Sequence, residues 1–159
     1  MDIPTVFSRI IDGNIGYVQV TEFNESTATQ FSNQVDTLIG QGAQALVFDM
    51  RNNGGGTLSS VTKMLDKLLP EGDIISAEYK DGTVEVLAKS DENEIDLPMV
   101  VLTNNRTASA AELFTQALRD YGKAKSVGVT TYGKGTMQTV KKLNDGSAVN
   151  VTVARYLPP

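Results

Sequence analysis

The 159-residue chain contains no histidine and no cysteine. Without imidazole there is no Ser-His-Asp triad, no histidine general base and no histidine-rich zinc site. Without a thiol there is no cysteine nucleophile, no disulfide and no thiolate-held metal cluster. A hydrolase built from these residues must take its base from a lysine, a carboxylate or a metal-bound water. Positive charge is also in deficit: 14 Lys plus Arg face 19 Asp plus Glu, for a net charge of −5. That is the wrong sign for tracking a phosphate backbone, and no nucleic acid is expected as a partner. No apolar run approaches the ~20 residues that span a bilayer, and Met1-Asp2-Ile3-Pro4 lacks the basic-then-apolar order of a targeting signal. Absent cysteine suits any redox compartment and locates the protein nowhere.

A chain of this length fits one domain with an apolar core. Thr5 to Ile10 and Ile15 to Val20 read as strands around the turn Asp12-Gly13-Asn14. Ala28, Phe31, Val35, Leu38 and Ile39 recur at helical spacing between a cap at Asn24 or Ser26 and a stop at Gly40. Ala45 to Met50 has the form of a buried strand, and Thr57 caps a helix that runs through Leu58, Val61, Leu65 and Leu68 to the breaker Pro70. Asp81-Gly82 joins Ile74 to Tyr79 with Thr83 to Leu87 as a second hairpin, and Lys89 to Asp96 reads as a surface loop. Further on, Pro98 to Thr103 is a buried strand and Ser109 opens a helix that ends at Gly122. Val127 to Val129 reads as a short strand, and Met137 to Leu143 with Ala148 to Tyr156 flank the turn Asn144-Asp145-Gly146. Strands alternating with helices, with hairpins added, predict an α/β fold: a mixed β-sheet layered with helices, its ligand crevice at strand C-terminal ends.

Two strand-turn-helix junctions could carry chemistry, because helix amino termini hold unpaired N–H groups and a partial positive charge suited to an oxyanion. One is Gly54-Gly55-Gly56, where the missing Cβ atoms let a substrate approach backbone donors; a glycine triplet also serves simply to shape a turn. The other is Thr107-Ala108-Ser109-Ala110-Ala111-Glu112. Ser109 with Glu112 is a helix capping box, yet the small neighbours leave room around the Ser109 hydroxyl, which would need a base to act as a nucleophile. Lys134, between Gly133 and Gly135, reads in isolation as an exposed turn lysine. Gly128-x-x-x-x-Gly133-Lys134 opens like a phosphate-binding loop, but Gly135 replaces the required Ser or Thr and a strand follows. Ser60-x-x-Lys63 matches a serine-lysine signature, but it lies within an amphipathic helix and no Lys-Thr-Gly tripeptide accompanies it.

Taken in order, Asp49-Met50-Arg51-Asn52-Asn53-Gly54-Gly55-Gly56, then Thr107 to Glu112, then Gly133-Lys134-Gly135-Thr136-Met137-Gln138, the chain closely resembles the protease core of the carboxy-terminal processing peptidases. This serine-lysine family includes tail-specific proteases. The resemblance extends from about Ile15 to Leu157. It implies a single protease-core domain over residues 1–159, part of a longer protein, with a fold akin to crotonase and ClpP. It implies Ser109 as nucleophile, Lys134 as general base, Gln138 as the residue that orients the lysine, and the N–H groups of Gly55 and Ala110 as oxyanion hole. The implied substrates are polypeptide carboxy-terminal segments, with no metal or organic cofactor and an extracytoplasmic location. Family members commonly carry a PDZ domain that captures the substrate, and this core leaves no room for one, so a separate PDZ or adaptor domain is implied as a partner.

A lysine base must be neutral, whereas lysine ordinarily titrates near ~10.4; burial can lower that by up to ~3–5 units. Val127, Val129, Tyr132 and Met137, nearby in sequence, are expected to supply that burial. Lys134 and Gln138 share a face of a regular strand but would lie roughly 13 Å apart when fully extended, so a bend at Gly135 is expected. Two other readings stay open: a non-catalytic module that binds an apolar ligand or a protein, and acyl-CoA chemistry on a crotonase-like scaffold.

Overall fold

The computed structural model describes residues 3–159; Met1 and Asp2, part of the stretch read for a targeting pattern, lie outside the described residues. Asp12 and Gly13 take positive φ, 48° and 83°, the backbone hand that suits a tight hairpin. They turn β1 (Val6–Ile11) back onto β2 (Ile15–Val20), with Val6 opposite Val20 and Ile11 opposite Ile15. Asn24 starts α1 (Thr27–Gly40): its side-chain oxygen accepts from the Ser26 and Thr27 amides at 3.0 and 3.1 Å, while Ser26 makes no side-chain cap. The chain returns as β3 (Ala45–Asp49) beside β2, then forms α2 (Leu58–Asp66) from a Thr57 cap. That helix ends before Pro70, with the Leu68 and Leu69 amides both closing on the Leu65 carbonyl at 2.9 Å.

β4 (Gly72–Tyr79) and β5 (Val84–Ser90) form the second hairpin, and Lys89 and Ser90 continue its strand where a loop was expected. β6 (Met99–Thr103), α3 (Ala110–Asp120) and β7 (Ala124–Gly128) follow, and β8 (Thr136–Lys142) with β9 (Ala148–Leu157) closes the chain. The strand expected at Val127 to Val129 lies earlier, because parallel pairing begins at Ala124 opposite Met99 and Gly128 is its last partner, opposite Thr103. The mixed sheet is present in the order β1-β2-β3-β6-β7, with only β1 antiparallel. The hairpins build a second sheet, β5-β4-β9-β8. α2 packs on α1 and α3 and also on β4 and β5, so a helical layer joins the two sheets.

Alternation fixes which face of the first sheet is buried: Val18 and Val20, Leu46 and Phe48, Met99 and Val101 point into the core. Four fully buried phenylalanines stitch that face to the helices. Phe48 of β3 lies 5.5 Å from Phe31 of α1 and 5.4 Å from Phe114 of α3, edge-on to the latter, and Phe23 stands 6.4 Å from Phe114. Phe114 therefore holds the start of α3 against the strand ends. Phe114→Ala is expected to cost about 3–5 kcal/mol by urea denaturation, whereas Phe7→Ala, at a half-exposed position, costs under about 1 kcal/mol.

Candidate functional site

β3 and β6 are neighbours in register, Asp49 beside Leu102, so the loops that follow them emerge side by side. This brings together the two junctions that lie far apart in sequence. Asn52 and Asn104 exchange hydrogen bonds, the Asn52 amide to Asn104 Oδ1 and Asn104 Nδ2 to Asn52 Oδ1, both 3.0 Å. Thr107 Oγ1 donates to the Met50 carbonyl at 2.8 Å, and the Ala108 amide to the Asn53 carbonyl at 3.0 Å.

Asp49, almost fully buried, anchors this corner. Arg51 donates from Nε at 2.9 Å and from its terminal nitrogen at 2.6 Å, and Tyr17 Oη donates at 2.5 Å. Burial opposes ionisation of Asp49, but the hydrogen bonds from Arg51 and Tyr17 outweigh it and hold the carboxyl below its ordinary value of 3.8.

Ser109 sits where loop becomes helix, at φ 56° and ψ −119°. A residue with a side chain held there is strained by about 1–3 kcal/mol, and a sharp strand-to-helix turn of this kind presents a nucleophile's hydroxyl outward. Ser109 and Glu112 form the capping box at the start of α3, the Ser109 amide donating to Glu112 Oε2 at 2.7 Å and the Glu112 amide to the Ser109 carbonyl at 2.9 Å. Ala110, the first residue of α3, keeps the unpaired N–H of a helix start. Ser109 lines a small recess with Gly56, Leu58, Ala110, Leu113 and Tyr156.

Gly55 lies directly against the serine. A Cβ on it would stand 2.8 Å from Ser109 Cβ and 3.1 Å from the Ala110 amide, and its φ is +102°. Its own N–H donates to Asn53 Oδ1 at 2.8 Å, while Asn53 Nδ2 donates to the Val20 carbonyl at 2.9 Å. Asn53, fully buried, thus aims the glycine loop, a role that sequence reading missed; an Asn that bonds the backbone two residues on is the available signal.

The segment after β7 returns to the same corner. The Tyr132 amide donates to the Thr107 carbonyl at 3.0 Å, and Gly133 turns at φ +90°. Lys134 follows, its amide 2.9 Å from Glu112 Oε2, the oxygen that also accepts from the Ser109 amide at 2.7 Å. The backbones of Ser109 and Lys134 are therefore adjacent, while no hydrogen bond joins their side chains or those of Lys134 and Gln138 among the described residues.

Two expectations about the lysine fail. Lys134 is exposed, because Val127, Val129 and Tyr132 are themselves turned outward, at 55%, 63% and 71% exposure. The bend lies not at Gly135 but at Gly133 and at a bulge between Met137 and Gln138, since Gly135 and Thr136 are already drawn to β9: the Gly135 carbonyl accepts from the Tyr156 amide at 3.0 Å, and Thr136 pairs with Arg155.

Known proteins are similar to this chain in sequence and in fold. The model for peptidase family S41 matches residues 14–159. The carboxy-terminal processing protease CtpA of Bacillus subtilis is 40% identical over 156 residues, 98% of this chain and 34% of that protein. The chloroplastic C-terminal processing peptidase of Tetradesmus obliquus is 40% identical over 147 residues, 91% of this chain and 32% of that protein. A solved photosystem II D1 C-terminal processing protease superposes with a TM-score of 0.88 at 35% identity, covering 99% of this chain and 45% of that one. The chain thus spans about a third of the length of these curated relatives.

The contact between Gly55 and Ser109 makes Gly55→Ala a sensitive probe. The new methyl collides with Ser109 in a backbone conformation that disfavours it, so a loss of more than about 1 kcal/mol is expected in thermal unfolding, together with loss of any Ser109-dependent reactivity. Asp49 gives a pH signature: its lowered folded pKa stabilises the fold above the ordinary carboxylate range, and that contribution is lost as pH falls through the folded value. Unfolding midpoints between pH 6 and 2 should therefore fall more steeply for the wild type than for Asp49→Asn.

Proposed function

The chain belongs to peptidase family S41, and from that premise we propose that it is the core of a serine endopeptidase that cleaves polypeptides near their carboxy termini by a serine-lysine mechanism. The observation that carries the reading is the strained turn at Ser109, on which Gly55, Ala110 and the Lys134 backbone converge.

In this reading Ser109 Oγ attacks the scissile carbonyl carbon and the neutral Lys134 amine takes its proton. The Ala110 and Gly55 N–H groups receive the oxyanion, for which Gly55 exchanges its bond to Asn53 Oδ1. The tetrahedral intermediate then collapses: the peptide C–N bond breaks, Lys134 returns the proton to the leaving amine, and water hydrolyses the acyl-enzyme with the same base. Gln138 orients the lysine once the chain around the bulge closes. Burial disfavours an ammonium ion, so the cover that exposed Lys134 lacks has to come from bound polypeptide or from parts of the protein outside these residues. No metal or organic cofactor takes part. Capture of the substrate's terminus by a separate PDZ or adaptor domain, and an extracytoplasmic setting, complete the proposal; the Tetradesmus relative is described as chloroplastic.

Cleavage of an unfolded polypeptide bearing an apolar carboxy terminus tests the mechanism. Lys134→Ala is expected to slow it by about 10²–10⁴-fold, Ser109→Ala by at least as much, with circular dichroism unchanged. Folded variants that keep wild-type cleavage would overturn it, and a non-catalytic binding module predicts no cleavage by any of the three proteins.

A further inference from the structure

One carboxylate joins every backbone segment that the serine-lysine reading uses, apart from the glycine loop. Glu112 Oε2 accepts from the Ser109 amide at 2.7 Å and the Lys134 amide at 2.9 Å; Glu112 Oε1 accepts from the Gly133 amide at 2.6 Å and Thr131 Oγ1 at 2.7 Å. A helix-capping glutamate needs only the first of these bonds. The other three come from a segment that lies 19 to 22 residues further on, that belongs to no strand, and that is otherwise exposed around Lys134.

We propose that Glu112 is a positioning residue for catalysis: its carboxylate clamps the Gly133-Lys134 turn to the Ser109 turn and so sets the distance between nucleophile and base. The inference rests on the serine-lysine reading for its catalytic consequence, not for the clamp itself. An ionised carboxylate is suited to the task, because it is acceptor-only on both oxygens and four donors fill it. Bonds to a charged acceptor are also roughly twice as strong as neutral ones. A glutamine in its place offers one accepting oxygen and turns an NH₂ group toward two of the donors. Either the Gly133 amide, bonded to Oε1, or the Lys134 amide, bonded to Oε2, then loses its acceptor, while α3 can keep its start through the bond of the Glu112 amide to the Ser109 carbonyl.

The test compares wild type, Glu112→Gln, Glu112→Asp and Thr131→Val by three readouts. Amide hydrogen exchange reads the clamp without reference to activity: at least one of Gly133 and Lys134 is expected to exchange at least tenfold faster in Glu112→Gln, while amides in the middle of α3 keep their protection. Peptide cleavage reads the consequence: kcat falls by about 10²-fold, the cost of misplacing a reacting group by an ångström or so, with KM within about twofold of wild type. Thr131→Val, which removes one bond of four, loses less than tenfold and serves as well if Glu112→Gln does not fold. Glu112→Asp, with the charge kept but the reach shortened, recovers part of the protection at Lys134. Unchanged exchange at Gly133 and Lys134 in Glu112→Gln would overturn the clamp. Faster exchange with unaltered kcat would overturn its catalytic role, and a fall in kcat that only tracks the unfolded fraction would reduce Glu112 to a helix cap. Failure of the serine-lysine reading shows separately, as cleavage that survives Ser109→Ala.

Discussion

An L-amino acid held at φ 56° and ψ −119° does not stay there unaided. Everything around Ser109 can be understood as the framework that keeps it in place. The Thr107 hydroxyl ties the loop to Met50, the Ala108 amide ties it to Asn53, and the Ser109 amide bonds to Glu112 one helical turn ahead. Phe114, two residues further along α3, is locked among three other phenylalanines. Strain at the turn is thus offset by burial and hydrogen bonding in the layers beneath it.

The same framework explains why the glycine run is needed. Parallel pairing of β3 with β6 sets their outgoing loops side by side, and the close approach of Gly55 to Ser109 leaves no space for a Cβ. Asn53 then orients the run from below, bonded at once to β2 and to Gly55. A residue deep in the fold therefore controls the direction of a buried backbone donor beside Ser109. Asp49, at the end of β3, stiffens the same corner through Arg51 and Tyr17.

Much of the fold was legible in the order of residues. Hairpin turns at Asp12-Gly13 and Asp81-Gly82, the Thr57 cap and the helical spacing from Ala110 to Leu118 are local signals, and the elements they predict are present. Ser109 and the Gly54-Gly55-Gly56 run could be singled out because turn and cap chemistry is local as well; Gly55 within the run was named by the family resemblance. What could not be read depends on contacts between distant segments. The start of β7 is set by pairing with β6, and the second sheet pairs β4 with β9, whose partners lie 75 to 81 residues apart in sequence. Exposure of Lys134 follows from the outward turn of Val129 and Tyr132, and their apolar character in sequence pointed the other way. Glu112 was visible only as half of a capping box, because the three donors it gathers from residues 131 to 134 have no signature of their own.

The central claim is that the strained hydroxyl of Ser109 is a nucleophile activated by Lys134. A serine-directed fluorophosphonate tests it most directly, with the labelled peptide located by mass spectrometry in the wild type and in folded Lys134→Ala. The account predicts a single adduct on the peptide containing Ser109, formed much more slowly in Lys134→Ala. Labelling scattered over several serines, or an adduct on Ser109 that forms equally fast without the lysine, would contradict it.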